Sequence, residues 1–252
     1  MLIAKYKKLR NMRRKSLSSS CTKPLSTPNV TSPVYGKVFN PEIGGEHPAI
    51  LMLHGAGGLS FRYYNVYARH LADRGYVVLV LNYYEKVGSI YTFFAATRVR
   101  RWKNYRITVK NAIDYLKSLP NVQSNEIGII GFSMGAALAL STAGNIENVN
   151  AVVIYYGSQP DSKRTVKNIG NGNPLNVAPA NYSARLPPVL ILHGSDDTVV
   201  KAEESKTLFN RLKKLGKIAE LHIYPGEKHG FSNEDAEQQT FRFLTQYIKG
   251  SR

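Results

Sequence analysis

The chain has almost no cysteine: Cys21 is the only one in 252 residues. That excludes an intrachain disulfide and suits a reducing compartment, so a cytoplasmic location is the first expectation. Long apolar runs are missing as well. None approaches the roughly 20 residues that a membrane-spanning helix needs, so no transmembrane segment is expected. There is no Cys-x-x-Cys or His-x-x-x-His spacing, so neither a metal site nor a cofactor is suggested. No internal repeat is visible. Acidic residues are scarce, 17 against 34 Lys and Arg, and none precedes Glu42.

The resulting net charge of +17 is unevenly spread. Residues 1–23 are dense in Lys and Arg, and a second basic cluster runs from Arg98 through Arg100, Arg101, Lys103 and Arg106 to Lys110. Such patches attract phosphate, acidic lipids or anionic substrates. A solvated helix face and a basic tail account for them equally, and no specific nucleic-acid partner is expected. Residues 1–33 read as a leader, separate from a domain spanning 34–252. Its second half, Ser16–Pro33, is rich in Ser, Thr and Pro, a composition that disfavours a packed core. The charges run to Lys15 and lead into Ser16-Leu17-Ser18-Ser19-Ser20, with no apolar stretch of the kind that export requires. The leader resembles an organelle transit peptide instead; alternatively, translation begins at Met12.

What is present is an alternation of apolar runs and helical patterns, which argues for a mostly parallel sheet with helices on both faces. Strands are predicted near 35–39, 49–53, 76–81, 126–130, 150–155, 188–192 and 219–224. Helices are predicted near 61–74, 97–118, 134–145, 201–215 and 234–249. Gly75 and Gly216 stand where helices end. Leu208, Leu212 and Leu215 are spaced for one helix face.

Within this pattern, Gly131-Phe132-Ser133-Met134-Gly135 lies between an apolar strand and a helix-prone run. Gly-x-Ser-x-Gly in that setting presents a serine hydroxyl on a sharp turn above the sheet edge. A serine nucleophile needs a base, and the base needs a carboxylate; in this arrangement they follow in the order Ser, acid, His. Downstream, Pro188–Leu192 leads into His193-Gly194-Ser195-Asp196-Asp197, and Leu221–Tyr224 leads into Pro225-Gly226-Glu227-Lys228-His229. Both stretches place chemistry just past predicted strand ends, where open parallel sheets build their sites.

These motifs, with His54-Gly55-Ala56-Gly57-Gly58 and Tyr155-Tyr156-Gly157, resemble the α/β-hydrolase superfamily and, within it, the dienelactone hydrolase family. The resemblance runs from about Val34 to Ile248. It implies the α/β-hydrolase fold and a hydrolase acting on a small ester or lactone, in the carboxylesterase range. Dienelactone hydrolase proper carries a cysteine nucleophile, whereas this chain has Ser133. A general ester or thioester hydrolase therefore fits better.

The roles follow residue by residue. Ser133 is the expected nucleophile, and His229, in the last strand-to-helix loop, its base. His54 and His193 sit in strand-end His-Gly pairs that suit shape-setting or packing. Asp196 and Asp197 both remain open as the acid. The family spacing Gly-x-x-Asp-x-x-Val, counted from Gly194, selects Asp197 and leaves Asp196 to cap the next turn or helix. The oxyanion hole implied is the backbone N–H of Met134 with one from Ala56 or Gly57. Tyr83, Tyr84 and Tyr156 are candidate pocket residues, with local core the equal alternative for the aromatics that follow Asn82. The segments Asn82–Ala96 and Ser158–Pro187 are expected to shape the substrate site. Trp102 reads as packing, and Arg62, Arg98 and Arg101 are candidates for holding a substrate carboxylate. Two rival readings stand beside the esterase: a peptidase of the prolyl-oligopeptidase type, which usually carries a large extra domain, and a non-catalytic binding protein on the same fold.

Overall fold

Five of the seven strand segments are apolar at nearly every position, as strands buried on both faces must be. In the computed structural model they form one seven-stranded sheet. The structure describes residues 24–25, 33–60, 63–84, 95–157 and 185–249; the side chains of 60 and 95–101 fall outside that description. The strands are β1 (Gly36–Phe39), β2 (His47–Leu53), β3 (Val77–Leu81), β4 (Val122–Phe132), β5 (Val149–Tyr155), β6 (Val189–Gly194) and β7 (Ala219–Tyr224). Between them run α1 (Tyr63–Ala72), α2 (Ala95–Lys117), α3 (Met134–Ala143), α4 (Ala202–Lys214) and α5 (Glu234–Leu244).

The sheet order is β1-β3-β2-β4-β5-β6-β7. Only β1 is antiparallel to its neighbour; the other pairs are parallel. Alternate residues of each strand therefore feed two cores. Leu51, Leu79, Ile129 and Ile154 face the layer formed by α2, α3 and α4. Ile50, Val78, Ile130 and Val153 face α1 and α5. This is the α/β-hydrolase fold, with helices on both faces as the sequence suggests.

Leu25, within the segment read as a leader, pairs with Val34 through both backbone bonds, at 2.7 and 3.2 Å, and packs on the core. Two expectations change. Leu215 does not continue the buried stripe of Leu208 and Leu212; α4 ends before it, and it is half exposed. β4 begins at Val122, earlier than its apolar pattern implies, because its first half pairs only at the rim of the sheet, where His47 meets Val122. Residues 1–23, Arg62 and the side chains of Arg98, Arg100 and Arg101 lie outside the described residues. Trp102 is buried in the core, on the helix where it reads as packing. Among the described residues no helix is long and apolar enough to cross a membrane.

Candidate active site

β4 ends at Phe132 and α3 starts at Met134, so Ser133 alone turns the chain, at φ 53 and ψ −112. That conformation costs a residue with a Cβ about 1–3 kcal/mol and persists only where the surroundings over-determine it. Here they do. The Ser133 N–H donates to Tyr155 O across the strand gap at 2.9 Å. A Cβ at Gly131 would collide with Gly135 O, and one at Gly135 with Leu53 O, so no side chain fits at either position.

β7 delivers the second group. The loop after it turns at Gly230, with φ +80, and is anchored by Phe231, which is buried against Tyr156 and Tyr224. His229 Nε2 lies 3.0 Å from Ser133 Oγ, and its Nδ1 lies 2.7 Å from Asp197 Oδ2. The His229 side chain is about one-fifth exposed (21%), whereas that of Asp197 is fully buried. A buried carboxylate needs donors on every lone pair it can fill. Asp197 Oδ1 accepts from the backbone N–H groups of Val199 and Val200, at 2.8 and 2.9 Å. Ser133, His229 and Asp197 thus form one hydrogen-bonded chain from three strand ends.

Asp196 is not in it. Its side chain is exposed and accepts from the Ser195 hydroxyl at 2.6 Å. Nor does it cap a helix: α4 starts after Lys201 with no side-chain cap, and the turn beyond β6 is closed by Asp197 itself. The reason is the turn that follows β6, which leaves Ser195 and Asp196 exposed and brings Asp197 back inside with its N–H to Gly194 O.

The oxyanion candidates converge through tyrosines that motif spacing does not reveal. Met134 N–H lies in the first turn of α3, where backbone donors have no partner within the helix. In the loop after β2, Gly55 N–H is taken by Tyr64 Oη at 3.0 Å, and the motif's candidates there are Ala56 and Gly57. Tyr84 Oη donates to Ala56 O at 3.1 Å and lies 3.8 Å from Met134 Sδ, so one phenol ties the loop to the start of α3. Tyr84 is buried beneath the loop. Tyr83 is fully buried, donates to His54 O at 2.6 Å, and stacks on the His54 ring at 3.9 Å. Both tyrosines follow β3 directly and are drawn under the β2 loop by packing, which no spacing rule predicts. Burial pushes the Tyr83 phenol well above its usual range.

Tyr156 does stand beside the triad, its ring edge-on to His229 at 4.9 Å. It too has a positive φ, 40, held by its N–H to Leu192 O at 2.8 Å. Burial lowers the His54 pKa to about 4, so the ring is neutral, with Nδ1–H donating to Gly55 O at 2.7 Å. His54 therefore shapes the loop and carries no charge near neutral pH. The segments expected to wall the substrate, Asn82–Ala96 and Ser158–Pro187, fall largely outside the described residues. A cavity of about 340 Å³ lined by His70, Arg74, Glu237 and Phe241 touches none of the triad residues. Among the described residues no group of His, Cys, Asp or Glu converges as a metal site would.

A serine on a strained strand-to-helix turn, above a mostly parallel sheet and bonded to a histidine and a buried aspartate, defines the α/β-hydrolase class. The chain belongs to the dienelactone hydrolase family, whose model matches residues 34–248. It is 30% identical over 158 residues to the uncharacterized peptidase YtmA of Bacillus subtilis, covering 55% of this chain and 61% of that protein. It is also 30% identical over 141 residues to human acyl-coenzyme A thioesterase 1, covering 56% of this chain and 31% of the thioesterase. The chain therefore spans less than two thirds of each of these relatives. Among solved structures, esterase 2 of Thermogutta terrifontis superposes with a TM-score of 0.70 at 21% identity, covering 90% of this chain and 94% of the esterase. The acylaminoacyl peptidase of Pyrococcus horikoshii superposes at 0.68 with 20% identity, covering 95% of this chain and 43% of the peptidase.

Proposed function

We propose that this protein is a serine hydrolase that cleaves small carboxylic esters, lactones or thioesters through an acyl-enzyme on Ser133. The observation that carries the reading is the continuous chain Ser133 Oγ–His229 Nε2, His229 Nδ1–Asp197 Oδ2, with the serine held on a strained turn. His229 Nε2 takes the hydroxyl proton as Ser133 Oγ attacks the carbonyl carbon. Met134 N–H and a donor from Ala56 or Gly57 receive the negative charge that develops on the carbonyl oxygen. His229 then gives its proton to the leaving alcohol or thiol, leaving an acyl ester on Ser133. A water molecule, deprotonated by His229, attacks that ester and returns the serine with a free carboxylic acid. Asp197 holds the His229 Nδ1–H and stabilises the imidazolium formed in each half-reaction. The thioester option draws on the thioesterase relative.

A panel of p-nitrophenyl esters from acetate to octanoate, a lactone, a short acyl-coenzyme A and an N-acylated amino-acid anilide tests this. It is run on wild type and Ser133→Ala beside a fluorophosphonate label mapped by mass spectrometry. The expected result is ester or thioester turnover that falls on the order of 10⁶-fold in the mutant, with the label on Ser133. Preferential cleavage of the anilide would move the assignment to a peptidase, the reading favoured by the Bacillus relative. No turnover and no label on folded protein would refute the reading and favour a binding role.

A further inference from the structure

The Asp197 carboxylate serves two histidines. Its Oδ2 accepts from His229 Nδ1 at 2.7 Å and also lies 3.2 Å from Nε2 of His193, whose side chain is fully buried. The protonation of that nitrogen follows from its neighbours. His193 Nε2 faces Asp197 Oδ2 and, at 2.9 Å, Val200 O, and both are acceptors. A bare nitrogen would set its lone pair against a carboxylate and a carbonyl, so Nε2 carries hydrogen. The other ring nitrogen, Nδ1, lies 2.7 Å from Ser205 Oγ on α4. A neutral ring accepts there from the Ser205 hydroxyl. A doubly protonated ring would donate to it, leaving the hydroxyl to reach Gly157 O at 3.5 Å. In either state Nε2 bears its proton, donates it to Val200 O and stands 3.2 Å from Asp197 Oδ2.

We propose that His193, held by Ser205, is a positioning residue for Asp197. The carboxylate then accepts three N–H groups, Val199 and Val200 on Oδ1 and His229 on Oδ2, and the buried His193 ring stands against Oδ2 at 3.2 Å. Two donors on Oδ1 and the His193 ring packed against Oδ2 restrict rotation of the carboxylate, and Oδ2 stays aimed at His229 Nδ1 while the imidazole gains and loses its proton. The same Nε2–H holds Val200 O, so the loop carrying Asp197 is fastened to the end of β6 by the ring four residues before it. Ser205, fully buried on α4, makes the arrangement depend on the packing of a helix against the sheet. His193 touches no substrate; it acts through Asp197.

The inference rests on the hydrolase reading, and its test separates the two. The second-order rate of fluorophosphonate labelling of Ser133 is measured for wild type, Ser133→Ala, His193→Leu and His193→Gln, together with kcat and KM on one ester and melting temperature. If wild type does not label at Ser133, the hydrolase reading falls and the positioning role falls with it. If it does, His193→Leu is expected to label about ten- to a hundredfold more slowly, the range for leaving the Val200 carbonyl without its donor and Asp197 without its neighbour. The loss should lie in kcat, with KM little changed. Glutamine can place an amide N–H where Nε2 stands and should bring the rate back to within about threefold of wild type. Leucine labelling at the wild-type rate, or glutamine no better than leucine at equal melting temperature, would overturn the proposal and leave His193 as packing. Should His193→Leu fail to fold, Ser205→Ala carries the decision. It removes one hydroxyl and should slow labelling by about threefold or more at near-native stability; an unchanged rate overturns the proposal.

Discussion

Gly135→Ala adds a single methyl group on the opening turn of α3 and should damage both stability and turnover. A Cβ there would overlap Leu53 O and would stand 2.6 Å from His54 O and 2.8 Å from Leu53 C. All three are backbone atoms at the end of β2, so no side chain can swing aside. Ordinary carbon contacts need about 3.5 Å or more, and α3 must therefore retreat from the sheet by roughly 1 Å. Overpacking of this kind costs about 1–3 kcal/mol, and the upper end applies when the neighbours are rigid backbone. For a domain of this size, about 3 kcal/mol lowers the melting temperature by roughly 6–12 °C. The retreat also carries Ser133 and the Met134 N–H away from His229 and from the loop after β2. A misplacement of about 1 Å at reacting groups costs on the order of 10² in rate. Differential scanning fluorimetry and ester turnover on the same preparation test both numbers. A variant that melts within about 2 °C of wild type and keeps full turnover would refute the packing argument.

Asp197→Asn should lower kcat by about 10⁴, because an amide can present its NH₂ to His229 and favour the wrong tautomer, while Asp196→Asn should leave kcat near wild type; steady-state kinetics on the pair decides which aspartate acts. Tyr84→Phe removes the hydroxyl that joins Ala56 O to the start of α3. It should cost about 1 kcal/mol of stability and lower kcat more than it changes KM, which a melt and a Michaelis–Menten curve together reveal. His54 is neutral in the folded protein, with a pKa lowered to about 4 by burial, whereas the unfolded chain binds a proton there below about 6.5. The unfolded state therefore holds more protons between those values, and stability rises with pH from about 4 to 6.5 and is flat above. Full development of that term is worth about 3 kcal/mol, and denaturant melts from pH 4 to 7 should show a shallower rise in His54→Gln.

The linear chain by itself determined the class. Period-two and period-3.6 patterning, with glycines around Ser133, pointed to strand, sharp turn and helix in that order, because that turn brings backbone too close at positions 131 and 135 for any Cβ. The order serine, acid, histidine after successive strands was equally legible, since parallel strands bring their ends to one edge. Which of two adjacent aspartates faces the histidine was carried by family spacing alone, and the physical reason emerges only with the turn after β6, which exposes Asp196 and buries Asp197. For Tyr83 and Tyr84 the sequence left pocket wall and local core open together, because hydrophobic patterning cannot distinguish an aromatic that lines a cleft from one packed under a loop from another strand. The bond from Tyr64 to Gly55 and the approach of His193 to Asp197 were invisible for different reasons. Tyr64 lies on a helix that only the folded sheet brings beneath the β2 loop. His193 lies four residues from Asp197, but its proton is fixed by Ser205 on a separate helix. Local pattern therefore determined where the reacting groups stand along the chain. The partners that hold them came from elements distant in sequence, and only the packing of those elements against the sheet decided them.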